Sequence, residues 1–244
     1  MAILTIVIPT YNAEKHIVNC LESIISSLQE ELNSGKVVVL IKDGSSTDSS
    51  IEIIKSYMKK YTWLYFSSMK DKGVYDAMNQ AIDFSQTPWV YFLGADDSLM
   101  NSFKDVFTNL NGDVLTKKVH YFNVLMTSNG SIYNNGFNLW KLLRKNICHQ
   151  GIIYPRELLV TNKYSLKYPI LSDWALNICL FKKFCHHNHV IACYNDVTGL
   201  SNTFSDNKFI VDKPHLFRNS HGTFWFLLAK AIYFLSVVKR AFNK

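Results

Sequence analysis

The sequence predicts an α/β fold, a mainly parallel Rossmann-like sheet with helices on both faces, followed by a helical tail. Three observations carry that prediction. Apolar runs of strand length recur through the first hundred residues, each stops abruptly in polar residues, and the segments between them repeat apolar residues with the period of a helix. Strands alternating with amphipathic helices imply parallel pairing and right-handed crossovers. With 244 residues and 48% hydrophobic content, the chain can bury a sizeable core and is expected to form one domain with an appendage. Its parts divide as residues 1–100, 101–221 and a tail at 222–244.

The first strand is the run from Ile3 to Ile8. It is not read as a signal sequence, since no basic stretch precedes it and no small-residue cleavage site follows. Pro9-Thr10-Tyr11-Asn12 ends it, with Asn12 as the helix-starting residue. Ile17, Leu21, Ile24, Ile25 and Leu28 then form the stripe of a helix that packs on a sheet. Lys36 to Ile41 is the second strand and runs into Lys42-Asp43-Gly44-Ser45-Ser46-Thr47-Asp48, after which Ile51, Ile54 and Met58 mark a second helix. A short third strand covers Trp63 to Phe66. Val74, Ala77, Met78, Ala81 and Ile82 define the next helix, closed by Thr87-Pro88. The fourth strand, Trp89 to Leu93, stops just short of two adjacent carboxylates, Asp96 and Asp97.

Beyond Asn101 the pattern loosens. Val119 to Met126 and Ser131 to Tyr133 read as strands around an Asn129-Gly130 turn, and Phe137 to Arg144 as a short helix. Asn146 to Tyr154 reads as a strand carrying His149 and Gln150, for which a satisfied structural role is the default. A helix starts near Asp173, either a cap or an acid-base group. A strand from Phe184 to Tyr194 and a turn at Thr198-Gly199-Leu200-Ser201 follow.

In a parallel sheet all strands point one way, so Thr10, Asp43 and Asp97 are expected at one edge, in the crevice where such sheets bind ligands. Each has a plainer alternative: Thr10 as a turn residue, Asp43 as a turn or cap, Asp96-Asp97 as a helix cap. Paired carboxylates there are candidate ligands for a hard divalent cation that also binds substrate phosphates. The first turn holds no glycine, which argues against a dinucleotide-binding oxidoreductase, whose pyrophosphate needs a glycine-rich turn.

A net charge of +7 suits an anionic partner. No basic stripe is clustered in the α/β half, so nucleic acid is not the expected one. The five cysteines form no CxxC pair, which speaks against a disulfide framework and for a reducing cytoplasm. Cys185-His186-His187-Asn188-His189 lacks a second ligand cluster at zinc spacing and is read as a strand. The tail from Gly222 to Lys244 is aromatic, aliphatic and basic: a helix lying in a membrane interface, or one packed on the body or on a second subunit.

Four ordered motifs, Val7-Ile8-Pro9-Thr10-Tyr11-Asn12, Lys42 to Asp48, Asp71-Lys72-Gly73-Val74-Tyr75-Asp76-Ala77-Met78-Asn79 and Leu93-Gly94-Ala95-Asp96-Asp97, resemble the family 2 glycosyltransferases of the GT-A fold. Cys148-His149-Gln150, Ser172-Asp173 and Thr198 to Ser201 resemble blocks of small bacterial members that build surface polysaccharides. The resemblance implies that residues 1–100 bind a UDP-sugar and that residues 101–221 hold the acceptor and the catalytic base. Pro9, Thr10 and Tyr11 would line the base and ribose pocket, Asp43 would bond the uracil, and Lys72, Gly73, Asp76 and Asn79 would belong to a segment closing over the donor. Asp97 would be the main Mn2+ or Mg2+ ligand and Asp96 a secondary one near the ribose, while Ala95 replaces the first acid of the family's DxD motif. Asp173 would be the base of an inverting transfer, with His149, Gln150 and Trp174 bordering the acceptor. The implied acceptor is a polyprenyl-diphosphate-linked saccharide in O-antigen or capsule assembly. The tail would then hold the protein peripherally at the inner face of the cytoplasmic membrane. A homodimer is left open. The rival expectation is a noncatalytic nucleotide-sugar or glycan-binding protein, supported by Ala95.

Overall fold

The computed structural model describes residues 1–113, 117–197 and 206–242, with the backbone alone for 111–113 and 236–242. Strands β1 (Leu4–Thr10), β2 (Val37–Asp43), β3 (Leu64–Ser68) and β4 (Trp89–Phe92) alternate with helices α1 (Ile17–Asn33), α2 (Ser50–Met58) and α3 (Val74–Phe84). All four strands are parallel, in the order β3-β2-β1-β4. Period-two alternation explains the layering. Leu4, Ile6 and Ile8 of β1 join the cluster under α1 and α2, whereas Val7 faces the cluster under α3. On β4, Trp89 and Tyr91 face one way and Val90 and Phe92 the other, all essentially fully buried. A strand apolar on both faces is what a sheet covered on both sides requires.

The second half departs from parallel pairing. It comprises β5 (Ser98–Leu99), α4 (Val106–Asp113), β6 (Val119–Met126), β7 (Ile132–Tyr133), α5 (Leu139–Arg144), β8 (Ile152–Pro155), α6 (Arg156–Thr161), α7 (Ser172–Leu180) and β9 (Phe184–Tyr194). β8 inserts antiparallel between β4 and β6, β9 runs parallel to β6 with irregular register at Asn123, and β5 pairs antiparallel at the far edge. Pairing Trp89 with Pro155 brings the segment before β8 up to the carboxyl end of β4.

Two local expectations fail for identifiable reasons. Asn12 does not start a helix: it takes a left-handed conformation, φ 49°, and α1 begins only at Ile17. Asn tolerates that region, and its side chain is used elsewhere. Its Oδ1 accepts the Thr47 amide at 2.8 Å while its own amide donates to Ser46 Oγ at 2.8 Å, stitching the loops after β1 and β2 together. His149 to Gly151 is a 3-10 turn rather than strand, because β4 ends at Phe92 and the Gln150 carbonyl is taken by the Tyr91 hydroxyl at 2.8 Å.

The C-terminal helices α8 (Asn207–His221) and α9 (Thr223–Phe242) meet at Gly222, whose φ of 96° favours glycine. Asp206 caps α8, accepting the Phe209 amide at 3.1 Å. α9 packs on the body through Trp225, Leu228, Ala229 and Ile232, and leaves Phe224, Leu227, Phe234 and Leu235 exposed. No described helix is long and apolar enough to cross a membrane. The turn expected at Thr198 to Ser201 lies outside the described residues. All five cysteines are free thiols.

Candidate active site

The carboxyl ends of β1, β2 and β4 open onto a cleft of about 1070 Å³. Pro9, Thr10, Tyr11, Gly73, Asp96, His149, Gln150, Asp173 and Trp174 line it, so nine positions singled out in the sequence meet in one cavity. Register explains the donor end: Thr10 lies opposite Asp43, and the Gly44 amide donates to the Thr10 carbonyl at 2.9 Å. Tyr11 is 64% exposed, an aromatic face open to a ligand.

The remaining expected positions do not reach the cleft surface. Asp43 is fully buried beneath the loop that follows it. Its Oδ2 accepts the Ser45 and Ser46 amides at 2.9 and 3.1 Å and Ser68 Oγ at 2.6 Å, and its Oδ1 accepts Ser46 Oγ at 2.5 Å. The carboxylate thus shapes the loop, with Ser45 at φ 68°. Asn79 clamps the backbone of Tyr164, donating to its carbonyl at 2.8 Å and accepting its amide at 2.9 Å. Asp76 accepts the Lys72 amide at 2.9 Å and closes the turn into α3, while the Lys72 side chain points to solvent. Asp71 of this segment also lines the cleft, so close to Gly44 that a Cβ there would lie 2.7 Å from its Oδ2.

The two acids after β4 differ sharply. Asp96 stands on the cleft wall, whereas Asp97 is 3% exposed and lies behind it. Asp97 Oδ2 accepts Gln150 Nε2 at 2.8 Å and the Gly94 amide at 3.2 Å, and its Oδ1 accepts the Asn195 amide at 2.8 Å. Gln150 thus ties the cleft wall to Asp97. Burial pushes the Asp97 carboxyl up to about 7, and the neighbouring charge of Asp96 adds to the rise against the three hydrogen bonds. Both carboxylates crowd over Gly94, where a Cβ would meet Asp97 Oδ2 at 2.4 Å and Asp96 Oδ1 at 3.0 Å. Two adjacent, partly desolvated carboxylates form a hard-oxygen set that fits one divalent cation completed by substrate phosphates. Among the described residues no group of three or more His, Cys, Asp or Glu is placed to hold a metal, so such an ion would depend on the substrate's oxygens.

Across the cleft, Asp173 lies in the first turn of α7 and is not its cap. The Tyr75 hydroxyl and Asn146 Nδ2 donate to its two oxygens at 2.7 and 2.6 Å. Burial raises its carboxyl to about 6, against those hydrogen bonds. Trp174 donates from Nε1 to the Leu142 carbonyl at 2.8 Å, fixing its ring at the cleft edge. His149 lies against Phe92 with ring centroids 5.3 Å apart and planes tilted by 30°, and burial lowers its pKa to about 4, so its imidazole is neutral. Tyr75 and Asn146 were not legible as site residues: Tyr75 lies on the buried face of α3 with Met78, Ala81 and Ile82 and reads as core, and Asn146 follows α5 with no signal.

The model of the family described as "Glycosyl transferase family 2" matches residues 5–107. A PGL/p-HBAD biosynthesis glycosyltransferase of Mycobacterium bovis is 35% identical over 220 residues, covering 86% of this chain and 83% of that protein. Among solved structures, S. aureus TarS 1-349 in complex with UDP-GlcNAc superposes with a TM-score of 0.71 at 17% identity, covering 90% of this chain and 67% of that one. The mannosyltransferase PcManGT of Pyrobaculum calidifontis in complex with GDP-Man and Mn2+ gives 0.67 at 16% identity, covering 94% and 69%. The chain belongs to glycosyl transferase family 2 and is a glycosyltransferase with the GT-A fold.

Proposed function

We propose that this enzyme moves a hexose, with inversion, from a UDP-sugar to a hydroxyl of a lipid-linked saccharide in surface-glycan assembly, O-antigen or capsule being the expected type. The observation that carries the reading is the opposition, across one cleft, of a carboxylate pair at the end of β4 and a half-buried carboxylate on α7. Asp96 and Asp97 would hold Mn2+ or Mg2+, with Asp96 facing the cleft. Bound there, the ion would offset the charge of the departing diphosphate. Thr10, Tyr11 and Gly44 form the wall against which base and ribose would rest. Asp173, half ionised near pH 6, suits general-base work close to neutrality. It would take the proton of the acceptor hydroxyl as that oxygen attacks the anomeric carbon from the face opposite the diphosphate. An α-linked donor would then give a β-glycoside.

Two comparisons support nucleotide-sugar donors without fixing the base, since TarS was solved with UDP-GlcNAc and PcManGT with GDP-Man. A panel of UDP- and GDP-sugars with Mn2+, scored for nucleotide release and product, tests the donor. Release from GDP-sugars alone would remove the uridine assignment.

The exposed face of α9, with Lys230 beside Phe226, supports a peripheral docking on an anionic inner-leaflet surface. Deleting the whole tail would also strip Trp225, Ala229 and Ile232 from the core. Aspartates at Phe224, Leu227 and Phe234 are the cleaner variant. They are expected to abolish co-sedimentation with phosphatidylglycerol vesicles while preserving transfer to a short soluble acceptor. Unchanged vesicle binding would assign the anchor elsewhere.

A further inference from the structure

The hydrogen bonds around Asp173 assign its two oxygens different tasks. Each carboxylate oxygen offers about two lone-pair sites. Oδ1 accepts from the Tyr75 hydroxyl at 2.7 Å and from the Trp174 amide at 2.8 Å, which fills both. Among the described residues, the side chain that donates to Oδ2 is that of Asn146, from Nδ2 at 2.6 Å, which leaves this oxygen one site.

The donors are themselves held. Asn146 Oδ1 accepts Asn177 Nδ2 at 2.9 Å, and Asn177 Oδ1 accepts the Tyr154 hydroxyl at 3.0 Å, so the amide of Asn146 is fixed with its NH2 towards Asp173. The Tyr75 hydroxyl has one proton and two acceptors in reach, Asp173 Oδ1 and the Ile170 carbonyl at 2.8 Å. A bond to an ionised acceptor is the stronger, so the proton belongs on Asp173 while the carboxylate is charged. Once Asp173 is neutral, Ile170 offers the buried hydroxyl an equivalent partner.

We propose that Tyr75 and Asn146 are positioning residues for the base: together they fix the plane of the Asp173 carboxylate, keep it ionised in its buried setting and leave Oδ2 as the atom that takes the acceptor's proton. This rests on Asp173 being the base. In the step, the acceptor O–H bond breaks and its proton goes to Oδ2. The oxygen bonds the anomeric carbon as the bond from that carbon to the phosphate oxygen breaks, and the electron pair leaves with the nucleoside diphosphate. Titratable groups around Asp173 are Tyr75, Tyr133, Tyr154, Tyr164 and Cys148, all held protonated by burial. Lys213 stands over the Trp174 ring at 4.7 Å.

The test is the pH profile of kcat/KM for the parent, Tyr75→Phe and Asn146→Ser, with UDP affinity and thermal unfolding confirming a folded donor site. Removing a donor to the charged form raises the carboxyl pKa, so the acid limb should move up by about one pH unit, a roughly tenfold loss below it and a smaller one above. Tyr75→Phe decides the matter when it folds, and Asn146→Ser, with the same expected direction, decides it otherwise. An acid limb that stays in place or moves down overturns the proposal, even if the rate falls uniformly. Asp173→Asn separates this from the base assignment. If Asp173→Asn is inactive while the limb of Tyr75→Phe stays put, only the positioning role fails. If Asp173→Asn keeps the parent rate and limb, the base assignment itself fails.

Discussion

Asp173 meets the chemistry of a base through its surroundings: burial raises its carboxyl to about 6, and the hydrogen bonds from Tyr75, Trp174 and Asn146 limit the rise. The sign of the pH dependence follows. With Asp173 as the proposed base the ionised form is the active one, so the rate should be full above about pH 7 and fall as pH drops through about 6. Asp173→Asn is expected to lower kcat by about 10²- to 10⁴-fold while UDP binding, measured by calorimetry, is retained. Gly94 makes a second residue-scale claim. A methyl there would collide with Asp97 Oδ2 and push the carboxylates apart, so Gly94→Ala should weaken Mn2+-dependent UDP binding and, by straining the buried hydrogen bonds of Asp97, lower the melting temperature as well. Equal Mn2+ response in parent and variant would show that the pair does not hold the ion.

At the scale of elements, α3 is attached to the second half by Asn79, whose amide pairs both backbone groups of Tyr164. Asn79→Ala leaves those buried groups unpaired and should destabilise by about 1–3 kcal/mol in urea unfolding, with donor KM unchanged. A raised donor KM at full stability would restore the expected contact with the nucleotide. Strand ends and the motifs on them were readable because a buried parallel strand writes its limits locally, as an apolar run that stops at Thr10, Asp43 or the Asp96-Asp97 pair. What each motif residue does was not readable in the same way. Tyr75 and Asp173 are 98 residues apart, Gln150 and Asp97 are 53 apart, and Asn146 and Asp173 are 27 apart. Such pairs are made by packing, and local pattern carries no trace of them. The hydrogen bonds by which Asp43, Asp76 and Asn79 support the cleft are equally unwritten in the local pattern. The antiparallel direction of β8, a strand foreseen as such, escaped for a related reason: its apolar run fits either direction, and only pairing with β4 and β6 fixes it.

For the whole molecule, the C-terminal helices serve the body before they serve any surface. Phe217 is fully buried, and Asp206, which caps α8, also lies 3.3 Å from the amide of Ile170 on the cleft rim. Phe217→Ala should cost about 3–5 kcal/mol and lower the melting temperature, leaving the activity of the folded fraction intact. The molecule thus joins a sheet edge that gathers Thr10, Tyr11 and Asp96 to a second half whose α7 brings one carboxylate to the opposite wall. The most direct measurement of that arrangement is the anomeric configuration of the product, read by NMR after transfer from an α-linked UDP-sugar with Mn2+ by the parent enzyme. Direct displacement assisted by Asp173 predicts a β-glycoside and its loss in Asp173→Asn. An α-glycoside, or a β-product formed at the parent rate without Asp173, would contradict it.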